Sequence, residues 1–122
     1  MKIILRGTIP PKKNSRVINF KTKRSFPSKR YQDWHKSATV SVYLQSKVQP
    51  KHPITAVSVE FYMPDNRRRD MTNVAESIMD LLVDCKIIED DCWQVIPMVQ
   101  LRTIEIDKEN PRAEITLYEQ KN

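Results

Sequence analysis

The 122-residue sequence predicts a single α/β domain of the α+β kind, with a mixed sheet, two main helices and the order β-α-β-α-β-β. Three observations predict it. Short N-terminal, central and C-terminal segments alternate apolar and polar residues. Two segments between them repeat apolar residues at steps of three and four. No repeat, low-complexity stretch or linker divides a chain whose length suits one core, so residues 1–122 read as one domain.

Residues 2–9 place Ile3, Leu5 and Ile9 on one side and Lys2, Arg6 and Thr8 on the other, a half-buried strand closed by Pro10-Pro11. Residues 11–27 are basic and polar and read as a loop with a small hairpin through Val17–Phe20. Ser28 is placed to cap a helix whose apolar face is Tyr31, Trp34, Ala38 and Val42, running to about Lys47. Residues 54–63 alternate most cleanly and stop at Pro64. A second helix spans 71–84, with Val74, Ile78, Leu81 and Leu82 inward and Asn73, Glu76, Ser77 and Asp80 outward. Residues 93–106 form a strand interrupted by Pro97, and Ala113, Ile115 and Leu117 mark a last strand after the turn Asp107–Pro111.

Composition excludes several classes. No run approaches the roughly 20 apolar residues of a membrane helix, and the start has too short an apolar run for a signal peptide, so a cytoplasmic protein without membrane contact is expected. Gly7 is the only glycine, which removes glycine-rich phosphate loops and with them a nucleotide cofactor held in that way. Cys85 and Cys92 lack metal-ligand spacing and read as reduced thiols.

The net charge of +6 hides a division. Residues 1–69 hold sixteen Lys/Arg against three Asp/Glu, +13; residues 70–122 hold five against twelve, −7. The two halves meet where Arg67-Arg68-Arg69 runs into Asp70. A basic surface for an anionic partner is one reading; mutual neutralisation within the fold is the other. Asp70 either caps the second helix or serves a site, and Asp90-Asp91 is either a solvated turn or part of one. Carboxylates converging from neighbouring elements repel unless a cation joins them, and Mg²⁺ takes such hard oxygen ligands. A metal-dependent nuclease and a plain DNA- or RNA-binding domain both fit this pattern.

Several segments resemble a known family. M-P-D-N-R-R-R-D-M-T-N, then S-I-M-D-L-L-V-D and I-I-E-D-D, together with the N-terminal I-P-P-K-K-N and P-S-K-R-Y, are similar to the RusA Holliday-junction resolvases of bacteria and their phages. The resemblance covers nearly the whole chain. It implies a homodimer that cuts branched DNA, four-way junctions above all, with Mg²⁺ as cofactor and Mn²⁺ as a substitute. It also implies paired symmetric hydrolysis in recombination and repair. Asp70 and Asp91 match catalytic carboxylates, Asp80 a recurrent acidic position late in the helix, and Asn73 the motif asparagine.

Two positions depart from the pattern. Thr72 stands where many members have a second aspartate, and Glu76 where they have a lysine. The chain is either an active relative with a rearranged site or a weakened, binding-only one. Positions 72 and 76 are one turn apart and about 40° apart around a helix, so Glu76 can lean back over position 72. Glu76 either completes a metal set of Asp70, Glu76 and Asp91, with Asp90 and Asp80 beside it, or is a solvated glutamate. A cation for the scissile phosphate is then sought among Arg67, Arg68 and Arg69. Lys12, Lys13, Asn14, Arg16, Lys21, Lys23 and Arg24 make a DNA-binding loop in a stretch, 1–32, that has no acidic residue. Phe20 and Phe26 either stack on bases or anchor that loop, Trp34 belongs to the core, and Trp93 to the core or a dimer contact.

Overall fold

The computed structural model describes residues 1–12 and 16–120; Lys13 and Asn14 of the expected DNA-binding loop lie outside the described residues. Strand β1 (Lys2–Arg6) is followed by a hairpin of β2 (Arg16–Asn19) and β3 (Arg24–Pro27). Then come helix α1 (Lys29–Gln45), β4 (Ile54–Met63), α2 (Met71–Asp84), β5 (Met98–Ile106) and β6 (Arg112–Glu119). Four strands make one mixed sheet in the order β1-β6-β4-β5. Strand β6 pairs antiparallel with β1 and β4, while β4 and β5 run parallel because α2 carries the chain back between them.

The alternation read from sequence sets which face is dry. Ile3, Leu5, Val57, Val59, Phe61, Ala113, Ile115 and Leu117 are buried, together with Ala38 and Val42 of α1 and Val74, Ile78, Leu81 and Leu82 of α2. The opposite face carries ions. Glu114 accepts from Lys2 Nζ at 2.7 Å and Arg112 Nε at 2.7 Å, and the Arg112 guanidinium lies 3.7 Å from the Tyr62 ring centroid. Stacking and paired charge let this face stay wet.

Four boundaries differ from the expectation, each for a local reason. Strand β1 ends at Arg6 because Gly7 takes φ +89°, open to glycine, and turns its amide to Pro111 O at 2.8 Å. The basic loop holds a hairpin wider than expected, with Phe20–Lys23 as its turn. Helix α1 stops at Gln45, where Ser46 bends its hydroxyl back onto Val42 O at 2.7 Å. Residues before Pro97 form a turn, with Val95 and Ile96 amides both on Cys92 O, so β5 starts only after the proline. Helix α2 ends at Asp84 as expected, in a Schellman arrangement: Ile87 N donates to Leu82 O and Lys86 N to Val83 O, with Lys86 at φ 61°.

The two edges of the sheet are treated differently. The Gln45 side chain accepts from Ile4 N at 2.8 Å and donates to Ile4 O at 2.8 Å, so one amide satisfies the outward backbone groups of Ile4, at the middle of β1. Strand β5 has no such cover among the described residues. Met98 (51%), Val99 (43%) and Ile106 (47%) are exposed along it. Trp93, 74% exposed, is outside the core, and Trp34 is half-buried against it, its ring 5.6 Å from that of Tyr31.

Candidate nucleic-acid interface and acidic site

The C-terminal end of β4 feeds the functional loop. Pro64 ends the strand, and Asp65 then gathers the arginines of the loop: it accepts from Arg67 N at 2.9 Å and from Arg69 Nη1 and Nη2 at 2.6 and 3.2 Å. This two-pronged pair, with the amide, holds the Asp65 carboxyl down at about 2. Arg69 is therefore committed to shaping the loop. Arg68 has no hydrogen bond or ion pair among the described residues, and neither has Arg30 at the start of α1.

Those arginines face one open cavity of about 430 Å³. Arg30, Arg67, Arg68 and Arg69 line it with Asp70, Asn73 and Val74 of the α2 N-terminus, and Thr8, Ile9 and Pro11 form the other wall. Arg30 was missed in the sequence because it sits in a helix start rather than in a basic run. Asp70 occupies the N-cap position, yet its side chain caps nothing: its carbonyl takes the Asn73 and Val74 amides, and Asn73 Nδ2 donates to Oδ2 at 3.3 Å. Thr72 is exposed beside it. The carboxylate thus stands exposed at the positive end of a helix, beside four guanidinium groups.

A second set of acids lies farther along α2. Glu76, Asp80 and Asp84 recur at steps of four, and all three press on Tyr31, whose phenol is pushed up to about 12 by burial first and then by these charges. His35 Nε2 meets Asp84 Oδ2 at 2.8 Å, and Lys12 Nζ pairs with Asp80. Beyond the helix, burial raises the Asp91 carboxyl above its ordinary value, and Asp90 and Asp80 add to the shift. Asp90 turns its own Oδ1 onto the Asp91 amide at 2.7 Å.

Ser77 corrects the expectation that it faces solvent. It is wholly buried, and its hydroxyl accepts from Lys12 N at 2.9 Å and donates to Pro10 O at 2.7 Å. On the helix face read as polar, Ser77 and Asp80 meet the N-terminal segment, while Glu76 stays exposed.

The structure therefore sorts the expected site residues into two places. Asp70, Asn73 and Arg67–Arg69 share the cavity; Asp80, Asp90 and Asp91 are neighbours by charge, with Glu76 one turn before Asp80. Ten residues of α2, about 15 Å of rise, separate Asp70 from Asp80. Among the described residues no three His, Cys, Asp or Glu side chains stand close enough to hold one metal ion. Phe20 is 89% exposed in the hairpin turn with Lys21 and Lys23, so it does not anchor the loop; Phe26 is 43% exposed. Arg16 and Arg24 open β2 and β3. Both cysteines are free, and burial raises the Cys85 thiol.

A cation-lined cavity beside an unspent carboxylate, with a separate basic hairpin that projects a bare aromatic, is an arrangement suited to nucleic-acid phosphate. The particular kind comes from comparison with known families. The family model for endodeoxyribonuclease RusA matches residues 7–118, and the chain belongs to that family. Membership brings Holliday-junction resolvase nuclease activity, generally metal-dependent, and binding of branched DNA. No curated protein matches the chain. No helix is long and apolar enough to cross a membrane among the described residues.

Proposed function

We propose that the chain is a Mg²⁺-dependent structure-specific endonuclease that resolves four-way junctions as a homodimer, by paired symmetric hydrolysis, in recombination and repair. The observation that carries this reading is Asp70: an exposed carboxylate at a helix N-terminus that makes no cap bond and opens instead onto an arginine-lined cavity. A residue needed only for helix capping would have turned its oxygen onto a backbone amide.

Carboxylates are the hard oxygen donors a divalent cation takes, although no three of them meet at one point among the described residues. Asp91 is already destabilised as an anion by burial and by Asp90 and Asp80, the condition a cation relieves. Asp70, Glu76 and Asp91 are the proposed ligands, with Asp90 and Asp80 beside Asp91; among the described residues these carboxylates do not converge on one point in this structure. A Mg²⁺ ion held by such carboxylates would supply an activated water and charge neutralisation at phosphorus. Arg68 and Arg30, with no partner among the described residues, are available to a backbone phosphate in the cavity. Arg69 keeps the loop in place through Asp65, and Asn73 orients Asp70. Lys12, Lys21, Lys23 and the other hairpin cations hold the junction arms, and Phe20 stacks at the open crossover.

The test is incubation with a labelled four-way junction in Mg²⁺, in Mn²⁺ and in EDTA. Symmetric paired nicks that require metal are expected, and Asp70→Asn and Asp91→Asn abolish them. Binding without cutting in either metal overturns the nuclease reading in favour of a junction-binding protein. Near-normal cutting by Glu76→Gln removes Glu76 from the ligand set.

A further inference from the structure

Both helices run from the arginine cavity to a second, separate groove. Arg30 at the start of α1 and Asp70 at the start of α2 line the cavity, whereas the residues that follow each helix line an open groove of about 330 Å³ at the far end. Fourteen residues of α2, about 21 Å of rise, lie between the two. Lys51 and His52 come to the groove from the α1 side, Lys86 and Glu89 from the α2 side, and buried Ile87 and Ile88 supply its apolar part. No Asp or Glu occurs from 34 to 59, so Lys51 has no acidic neighbour in sequence.

Lys86 stands there at a conformational cost. It occupies the C′ position of α2 at φ 61°, where glycine is the favoured residue. Helix capping does not explain it, because the last carbonyls of α2 take backbone amides instead: Leu81 O from Cys85, Leu82 O from Ile87 and Val83 O from Lys86 itself. The side chains of Lys51 and Lys86 are exposed and make no ion pair among the described residues. A lysine kept in strained backbone without an internal partner serves something outside the chain. The Lys51 side of the groove is also set in advance. Pro50 and Pro53 fix the backbone around Lys51-His52, Gln49 Nε2 donates to Ser46 O at 3.3 Å, and Gln120 N donates to Pro53 O at 2.9 Å. Little order remains to be imposed when an anion arrives.

The placement says which anion. Asp90 and Asp91 follow Glu89 directly, and Asp91 is within electrostatic reach of Asp80, so carboxylates lie between two cationic zones: arginines at the start of α2 and lysines past its end. A small anion would use one zone only. Two zones about 21 Å apart suit a polyanion, since that span is about six steps of 3.4 Å along a duplex strand.

We propose that the groove past the ends of α1 and α2 is a second site for the phosphate backbone of DNA, gripped by Lys51 and Lys86. The DNA that enters the arginine cavity is thereby held on the far side of the acidic residues as well. This deepens the function proposed above and rests on it only for the ligand being DNA.

The experiment measures binding of a labelled four-way junction to the full chain in Ca²⁺ over a series of salt concentrations, with urea unfolding of each variant alongside. Lys86→Gly is expected to raise the unfolding midpoint and yet weaken junction binding severalfold, lowering the log–log salt slope by about 0.9, the value of one phosphate contact on duplex DNA. Lys51→Gln is expected to lower the slope equally with its midpoint unchanged, and Lys86→Arg, which keeps the charge, to bind like the wild type. A lysine serving only the fold would give no loss of affinity in a more stable protein. Unchanged slopes in Lys86→Gly and Lys51→Gln overturn the inference, and so does an equal loss in Lys86→Arg. Should Lys86→Gly prove unstable, an unchanged slope in Lys51→Gln is enough to overturn it. A wild-type chain that binds without cutting overturns the nuclease reading alone, while the same slopes still decide this site.

Discussion

Replacing Ser77 by alanine tests directly the docking of segment 10–12 on α2. Ser77 is inside the protein with no exposed surface, and its hydroxyl bonds both Pro10 O and Lys12 N. Alanine removes both bonds and adds no clash. Pro10 O is then buried without a donor, costing about 1–3 kcal/mol, while Lys12 N, which is only partly buried, recovers some of its loss from water at about 1 kcal/mol. The expected destabilisation is roughly 2–4 kcal/mol, a large share of the ~5–15 kcal/mol that holds an ordinary domain together. Urea unfolding should show a lower midpoint with an unchanged slope. Amide exchange at Lys12 should accelerate far more than exchange at core sites such as Ile115. A midpoint shift worth less than about 0.5 kcal/mol, the scatter of ordinary surface substitutions, would refute the reasoning, as would unchanged exchange at Lys12.

Four further outcomes are expected. Asp65 has a carboxyl depressed to about 2 from 3.8, so its contribution is complete above the upper value and disappears as pH falls through the lower one; Asp65→Asn should flatten acid unfolding in that window. Asp91 is shifted the other way, by burial and by Asp90 and Asp80. Its ionised form opposes folding at neutral pH, so Asp91→Asn should raise the melting temperature there, with the difference shrinking as the pH is lowered, even as it abolishes cutting. Phe20→Ala should suppress the fluorescence rise of 2-aminopurine placed at the crossover, with duplex affinity unchanged; an undiminished rise rejects stacking by Phe20. Lys86→Gly should stabilise the chain by about 1 kcal/mol in urea unfolding, because Lys86, the C′ residue of α2, sits at φ 61°, where a Cβ is strained.

Much of this architecture is legible in the sequence, and the reasons differ by element. The helix at 71–84 and the strand at 54–63 can be read to the residue because their periods are long and proline or aspartate bounds them. The capping role of Ser28 appears as expected, its hydroxyl accepting from Tyr31 N at 3.2 Å. Ser77 was not legible: a hydroxyl has the same helical phase whether water or a distant carbonyl meets it, and its partners are 65 and 67 positions away. The choice among three consecutive arginines was equally closed to sequence, since it depends on the two-pronged geometry that ties Arg69 to Asp65. Lys12 read as one more loop cation because pairing with Asp80 is a tertiary event. Charge segregation separated a basic half from an acidic one; only folding told that an N-terminal lysine crosses into the acidic half.

The glutamine that closes β1 has a consequence for stoichiometry. A sheet whose two margins both accept strands has a valence of two and can extend without limit, as fibres do. With Ile4 satisfied by Gln45, this sheet has a valence of one, at β5. Were two copies to join edge to edge through β5, the Gln45 amide on Ile4 would work against a third adding at β1, so one side chain would bias such joining toward a finite pair.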